Sequence, residues 1–156
     1  MNILDISSDD IPLEDFSVGV VCSRFNQPIT DIMKQRALAF LKEKAVPKVL
    51  FLSVPGALEI PFGADLLFQR GVDGVVALGA VIRGETSHYD LVCNGSERGC
   101  QRVQFIHRKP VTFGVLTVEN KEQALARLGG SKGDKVQEAV EALLEMLKVQ
   151  KKINNL

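Results

Sequence analysis

Four short runs of the chain are apolar at almost every position: Val18 to Cys22 (VGVVC), Lys48 to Val54 (KVLFLSV), Gly74 to Val81 (GVVALGAV) and Val111 to Val118 (VTFGVLTV). Runs this short, rich in β-branched residues and lacking a polar face, predict strands covered on both sides. Between them the apolar positions fall at helical spacing. Ile29, Met33, Ala37, Phe40 and Leu41 form a stripe, with Asn26 placed to cap it and Pro28 in its first turn, where a missing N–H is harmless. A second helical stretch, Leu58 to Arg70, follows the Pro55-Gly56 break and stops at Gly71. His88 to Ile106 reads as a third. After Glu119-Asn120 a short helix reaches Leu128. Beyond a Gly-rich turn (GGSKG), a long amphipathic helix carries Val136, Val140, Leu143 and Leu147 on one side.

This alternation of strand and helix, with a helix added at the end, predicts a three-layer α/β/α sandwich around a four-stranded, mainly parallel, doubly wound, flavodoxin-like sheet. Such sheets bind ligands outside the carboxyl ends of their strands. The loops Ser23 to Asn26, Pro55 to Glu59 and Ile82 to His88 are therefore expected to line a site. The chain's 156 residues suit a single domain over 1–156, with an N-terminal segment 1–15 and a core 16–152.

Charge narrows the function classes. Nineteen Lys and Arg balance nineteen Asp and Glu, so the electrostatic footprint of a nucleic-acid binder is missing. The most apolar window, Val72 to Ile82, is too short to cross a bilayer. The acidic stretch Met1 to Asp15 has no basic segment followed by an apolar one, so it does not read as a secretion signal. The expectation is a cytoplasmic protein without membrane or nucleic-acid partners. Cys22, Cys93 and Cys100 form no CxxC pair and are too few for a disulfide framework or a four-ligand zinc site. Cys93 and Cys100, seven apart on one helix face, are expected to fill core.

Candidate chemistry concentrates in the third loop. Gly79 to Thr86 (GAVIRGET) has the outline of a nucleotide phosphate loop, but Glu85 stands where the lysine would be and would repel β- and γ-phosphates. The backbone argument survives that loss, because free N–H groups of Gly84, Glu85 and Thr86 at a helix N-terminus can hold a single phosphate. An ordinary strand-to-helix turn has the same pattern. His88, in the first helical turn, is placed to exchange protons with a ligand held there. His107, before Arg108-Lys109 at a helix end, reads as structural. Glu59 opens a helix, where a carboxylate caps backbone or accepts hydrogen bonds from a polyol. Phe25, in a polar context (SRFNQP), stacks on a planar heterocycle or serves as a surface-to-core staple. Arg127 and Lys135 bracket the Gly-rich turn, and exposed cations there ordinarily mean solvation.

Taken in order, Arg24-Phe25-Asn26, Val54 to Pro61 (VPGALEIP), Gly79 to Asp90 (GAVIRGETSHYD) and Phe113 to Thr117 (FGVLT) resemble the lumazine synthase family over nearly the whole chain. The resemblance implies a riboflavin-biosynthesis enzyme that condenses 5-amino-6-ribitylaminopyrimidinedione with 3,4-dihydroxy-2-butanone 4-phosphate. It also implies that no metal or organic cofactor is used. By motif, Phe25 would stack on the pyrimidine, and Ala57, Leu58 and Glu59 would meet the ring and ribityl chain. Ala80, Val81 and Ile82 would add backbone contacts. Gly84, Glu85 and Thr86 would bind phosphate with Arg127, and His88 would be the general acid/base. Phe113 and Lys135 also carry over. Phe113 lies near the start of its strand, at the end opposite the catalytic loops, so a neighbouring subunit must supply it. The resemblance accordingly implies a homopentamer with sites at its interfaces, Phe113, Arg127 and Lys135 coming from the adjacent chain. In some members twelve pentamers form a hollow shell, and a riboflavin synthase is a further candidate partner.

Two departures stand out: Lys135 is followed by Val136 where the family usually has glycine, and Leu58 replaces an aromatic of some members. The related archaeal-type riboflavin synthase shares the fold, but the RGET and HYD segments favour lumazine synthase. A non-catalytic flavin binder or shell protein would have little need of both a phosphate site and an acid/base. A flavodoxin-like carrier should have a Ser/Thr-rich loop after its first strand, for which Ser23 to Asn26 is a poor substitute.

Overall fold

A computed structural model of the chain describes residues 1–7 and 11–156. The part of the N-terminal segment at 8–10 lies outside the described residues. Elements follow in the order β1 (Ser17–Ser23), α1 (Gln27–Glu43), β2 (Lys48–Val54), a 3-10 turn (Ala57–Glu59), α2 (Ile60–Gln69), β3 (Gly74–Ile82), α3 (His88–His107), β4 (Val111–Val118), α4 (Lys121–Ala126), β5 (Leu128–Gly130), β6 (Gly133–Asp134) and α5 (Lys135–Asn154). The four long strands form one sheet in the order β2-β1-β3-β4, every pair parallel.

The central strands β1 and β3 are buried along nearly their whole length, while the edge strands β2 and β4 are partly exposed, and none shows strict polar alternation. In β1, Val18, Val20 and Cys22 join Met33, Leu41, Val140 and Leu143 in the layer under α1 and α5, while Val21 joins Ile60, Ala64, Cys100 and Val103 under α2 and α3. From β1 the chain moves outward to β2, then crosses back to β3 on the other side. The carboxyl ends of β1 and β3 are therefore the switch point, where the flanking helices diverge and leave a crevice.

Registers sharpen that crevice. β1 pairs with β3 only as far as Cys22 opposite Leu78, whereas β3 continues along β4 to Ile82 opposite Val118. The last residues of β3 thus overhang β1 with one backbone edge unpaired by sheet. Gly79 begins the overhang, and a Cβ there would lie 2.5 Å from Ser23 Oγ, so the close approach of β1 and β3 at this point needs glycine.

The local endings follow from side-chain chemistry. Gly71 at φ 86° closes α2 in the left-handed conformation that glycine adopts without a Cβ penalty. Asn26 departs from the expected side-chain cap. At φ 63° its side chain turns away from the helix and Nδ2 donates to Ala80 O at 2.8 Å, while its carbonyl accepts from Ile29 and Thr30. The second predicted helix opens as a 3-10 turn, since Pro61 allows continuation only from a first-turn position. The Gly-rich turn before α5 is a miniature antiparallel ribbon, β5–β6, with Gly129 and Gly133 at positive φ.

Candidate functional site

Three loops at the carboxyl edge enclose a cavity of about 440 Å³. The first hangs on the second through Arg24 N donating to Val54 O and Phe25 N to Pro55 O, at 2.8 and 3.0 Å. This leaves the Phe25 ring 73% exposed over the opening, a large apolar surface without protein cover. Ala57 and Leu58 line the cavity from the second loop.

Glu59 shows its capping role directly. Its Oε2 accepts from Gly56 N at 2.9 Å, and its own N–H donates to Gly56 O. Oε1 has no partner among the described residues and remains an acceptor at the cavity wall. Opposite it, Ala80, Val81 and Ile82 present the overhanging backbone of β3, and Asn26 Nδ2 occupies one of those carbonyls, Ala80 O. An unpaired strand edge beside an exposed ring is suited to a flat heterocycle with its own donors and acceptors.

The third loop carries the charge-binding geometry. Among the described residues, the N–H groups of Gly84, Glu85 and Thr86 donate to no protein acceptor, and they precede the 20-residue α3. Thr86 Oγ1 accepts from His88 N at 3.3 Å. Gly84, Thr86 and His88 face the cavity together with Tyr89 and Val92. Burial pushes the Tyr89 phenol above its ordinary range.

Ten residues read from the sequence thus meet in one cavity: Phe25, Ala57, Leu58, Glu59, Ala80, Val81, Ile82, Gly84, Thr86 and His88. Glu85 contributes its backbone to the loop, but its side chain is outside the lining. Phe113, paired with Ala77 five residues before the end of β4, packs against the layer under α2 and α3. Arg127 Nη1 donates to Gln123 O at 2.9 Å at the end of α4, and Lys135 Nζ lies 3.5 Å from Glu138 Oε2 on α5. None of these last three reaches the cavity of its own chain.

Asn26 and Gly56 line the cavity from loops expected to border a site, while Tyr89 and Val92 line it from beyond those loops. His88 and Val92 stand four apart on α3, so helical spacing from His88 could have found Val92. Elsewhere, His107 Nε2 lies 2.7 Å from Asp65 Oδ1 with its ring 4.8 Å from Phe68. It joins α3 to α2, and its hydrogen bond holds the Asp65 carboxyl below the usual range. Burial pushes the thiols of Cys22 and Cys100 up to about 12, which makes them core filling. Among the described residues no group of three or more His, Cys, Asp or Glu is gathered as for a metal ion, and no helix is long and apolar enough to cross a membrane.

A family model described as 6,7-dimethyl-8-ribityllumazine synthase matches residues 15–151. A protein of that name from Bdellovibrio bacteriovorus is 47% identical over 136 residues, covering 87% of this chain and 76% of the relative. Another from Pediococcus pentosaceus is 42% identical over 140 residues, covering 88% of this chain and 90% of the relative. One from Coxiella burnetii is 42% identical over 141 residues, covering 88% and 93%.

Proposed function

The chain belongs to the 6,7-dimethyl-8-ribityllumazine synthase family, and from that premise we propose that the carboxyl-edge cavity is its active site, completed by a second copy of the chain. The protein is a transferase of riboflavin biosynthesis: it condenses 5-amino-6-ribitylaminopyrimidinedione with 3,4-dihydroxy-2-butanone 4-phosphate, releasing phosphate and water. The observation that carries the assignment of the site is the meeting of an exposed ring, a free strand edge, a carboxylate oxygen and a cluster of unpaired N–H groups beside His88 in one cavity.

In this reading the pyrimidinedione stacks on Phe25 and pairs with the backbone of Ala80, Val81 and Ile82. The ribityl hydroxyls donate to Glu59 beside Ala57 and Leu58. The ketone's phosphate sits on the N–H groups of Gly84, Glu85 and Thr86, where the dipole of α3 favours a dianion. The substrate amine attacks the ketone and loses water to form an imine. His88 takes the proton whose departure expels phosphate and returns protons during ring closure, which releases the second water. His88→Ala is expected to lower kcat by about 100-fold while leaving both KM values within about threefold, since only proton transfer is removed. Continuous assay of the fluorescent lumazine measures this.

The second copy is supported by what one chain leaves undone. Phe62 and Leu66 on α2, and Leu91, Phe105 and Ile106 on α3, are large apolar side chains left exposed. Such a face needs cover. Phe113, Arg127 and Lys135 reach no cavity of their own and would enter the neighbour's, with Phe113 on the heterocycle and the two cations on phosphate. We propose a cyclic pentamer as the unit, with assembly into a shell and association with a riboflavin synthase as its extensions, working in the cytoplasm.

Mixing chains tests the shared site. Phe113→Asp and Glu59→Ala chains are each expected to be nearly inactive, and their equimolar co-assembly to recover about a quarter of the wild-type sites, because each interface pairs two different surfaces. No recovery in oligomers shown by native mass to be mixed would contradict a site shared between chains.

A further inference from the structure

One arginine beside the cavity joins its own loop to the segment that follows β4 and to the first turn of α3, and the reaction as written gives it no part. Arg83 is the first residue after β3, directly before the Gly84–Thr86 loop, and its N–H donates to Val118 O at 2.9 Å, the end of β4. Its Nε faces both oxygens of Glu119, at 3.0 and 2.9 Å. Its Nη1 is 3.6 Å from Asp90 Oδ1 in the first turn of α3. Its carbon lies 4.2 Å from the centre of the Tyr89 ring, which in turn forms cavity wall next to His88. Arg83 itself does not line the cavity.

We propose that Arg83 is a positioning residue for the phosphate-bearing substrate. The guanidinium fixes the loop that presents the free N–H groups against Glu119, just past β4, and the first turn of α3, and it pairs with the carboxylates of Glu119 and Asp90 that flank the loop. Both effects come from a flat, permanently charged fork that hydrogen-bonds on its edge and stacks on its face. Glu119 and Asp90 would otherwise add negative charge to a region that must receive a dianion. Tyr89, held by the stack, keeps the turn carrying His88 at a constant distance from the loop. Arg83 thus acts through the loop and through Tyr89, touching neither substrate. This role rests on the loop being the phosphate site.

The test is steady-state kinetics on the assembled enzyme, varying each substrate separately, with inorganic phosphate as a competing probe. Arg83→Gln is expected to raise KM for the phosphate-bearing ketone about tenfold or more, because small displacements of a binding group are costly. It should weaken inhibition by inorganic phosphate in parallel and leave KM for the pyrimidinedione within about twofold. Arg83→Lys, which keeps the charge without the fork or the flat face, is expected to fall between. Adding Glu119→Gln to Arg83→Gln should recover part of the lost phosphate affinity, a rescue that a purely structural strap would not give. Equal rises in both KM values, or no rescue by the second substitution, would overturn the role. Wild-type KM values in Arg83→Gln alongside impaired His88→Ala would overturn the Arg83 role alone. If His88→Ala were also unimpaired, the assignment of the site itself would fail.

Discussion

Arg127→Ala is expected to raise KM for the phosphate-bearing ketone roughly 300-fold, the equivalent of about 3.4 kcal/mol for a lost bidentate guanidinium–phosphate pair. Arg127 uses one of its donors on Gln123 O, and among the described residues no carboxylate lies within ion-pairing distance of it. A half-buried guanidinium with five donors and one protein acceptor is prepared for an anion from outside the chain. The pyrimidinedione carries no phosphate, so its KM should change little. Inorganic phosphate should lose potency as a competitive inhibitor by a comparable factor, measured directly by inhibition or by calorimetric titration. Unchanged KM for the ketone would remove Arg127 from the site.

Asp134→Ala is expected to be the most damaging single change to the ribbon that joins α4 to α5. Asp134 Oδ1 accepts from Val136 N and Gln137 N, both at 3.0 Å, and so caps α5. Its other oxygen accepts from Arg36 Nε at 2.7 Å and also pairs with Nη2, fastening the ribbon to α1. The same guanidinium packs on Gly129, where a Cβ would lie 2.6 Å from Nη2. Losing a cap costs about 1 kcal/mol and orphaning a partly buried guanidinium about 2, for roughly 3 kcal/mol in all. Thermal unfolding at fixed protein concentration should show a midpoint lower by roughly 6–12 °C. Asp134→Asn keeps the capping oxygen and should lose less. Because the ribbon lies between Arg127 and Lys135, weaker phosphate binding should accompany the lost stability. A midpoint within a degree of wild type would mean the clamp holds nothing.

The same ribbon explains how Val136 is accommodated directly after Lys135. Val136 is helical and fully buried, and the positive φ values of this region fall on Gly129 and Gly133. Lys135 therefore starts α5 from a backbone set by the Asp134 cap, with no need for a permissive residue after it.

How far the sequence disclosed this arrangement varies with the kind of signal. The four main strands were readable because apolar residues occupy nearly every position, most completely in the central strands β1 and β3, and their flanking turns are sharp. The free N–H groups of the Ile82 to His88 loop were readable because a strand, glycine and a helix start dictate where N–H groups go unpaired. The β5–β6 ribbon was not, since strands of three and two residues are too short to show a period of two. Nor was the tie from Asn26 to Ala80. It depends on a left-handed backbone angle and on the overhang of β3 past β1, both of which are set by tertiary packing. The distance of Phe113 from its own cavity was readable from its place near the start of β4, whereas that of Arg127 and Lys135 concerns distances between elements, which periodicity does not encode. Family resemblance supplied that expectation, together with the identity of the substrates.

The proposed site, in which one carboxyl-edge cavity finished by a neighbouring chain holds both substrates, joins all of these residues. It is tested most directly by a crystal structure of the assembly with a non-reactive ribityl-pyrimidine analogue and inorganic phosphate. The ring is expected on Phe25, the ribityl chain on Glu59, and phosphate on the Gly84–Thr86 loop beside His88, with Phe113 and Arg127 of an adjacent chain in contact. An analogue seated elsewhere, or one held in this cavity with no second chain within reach, would contradict it.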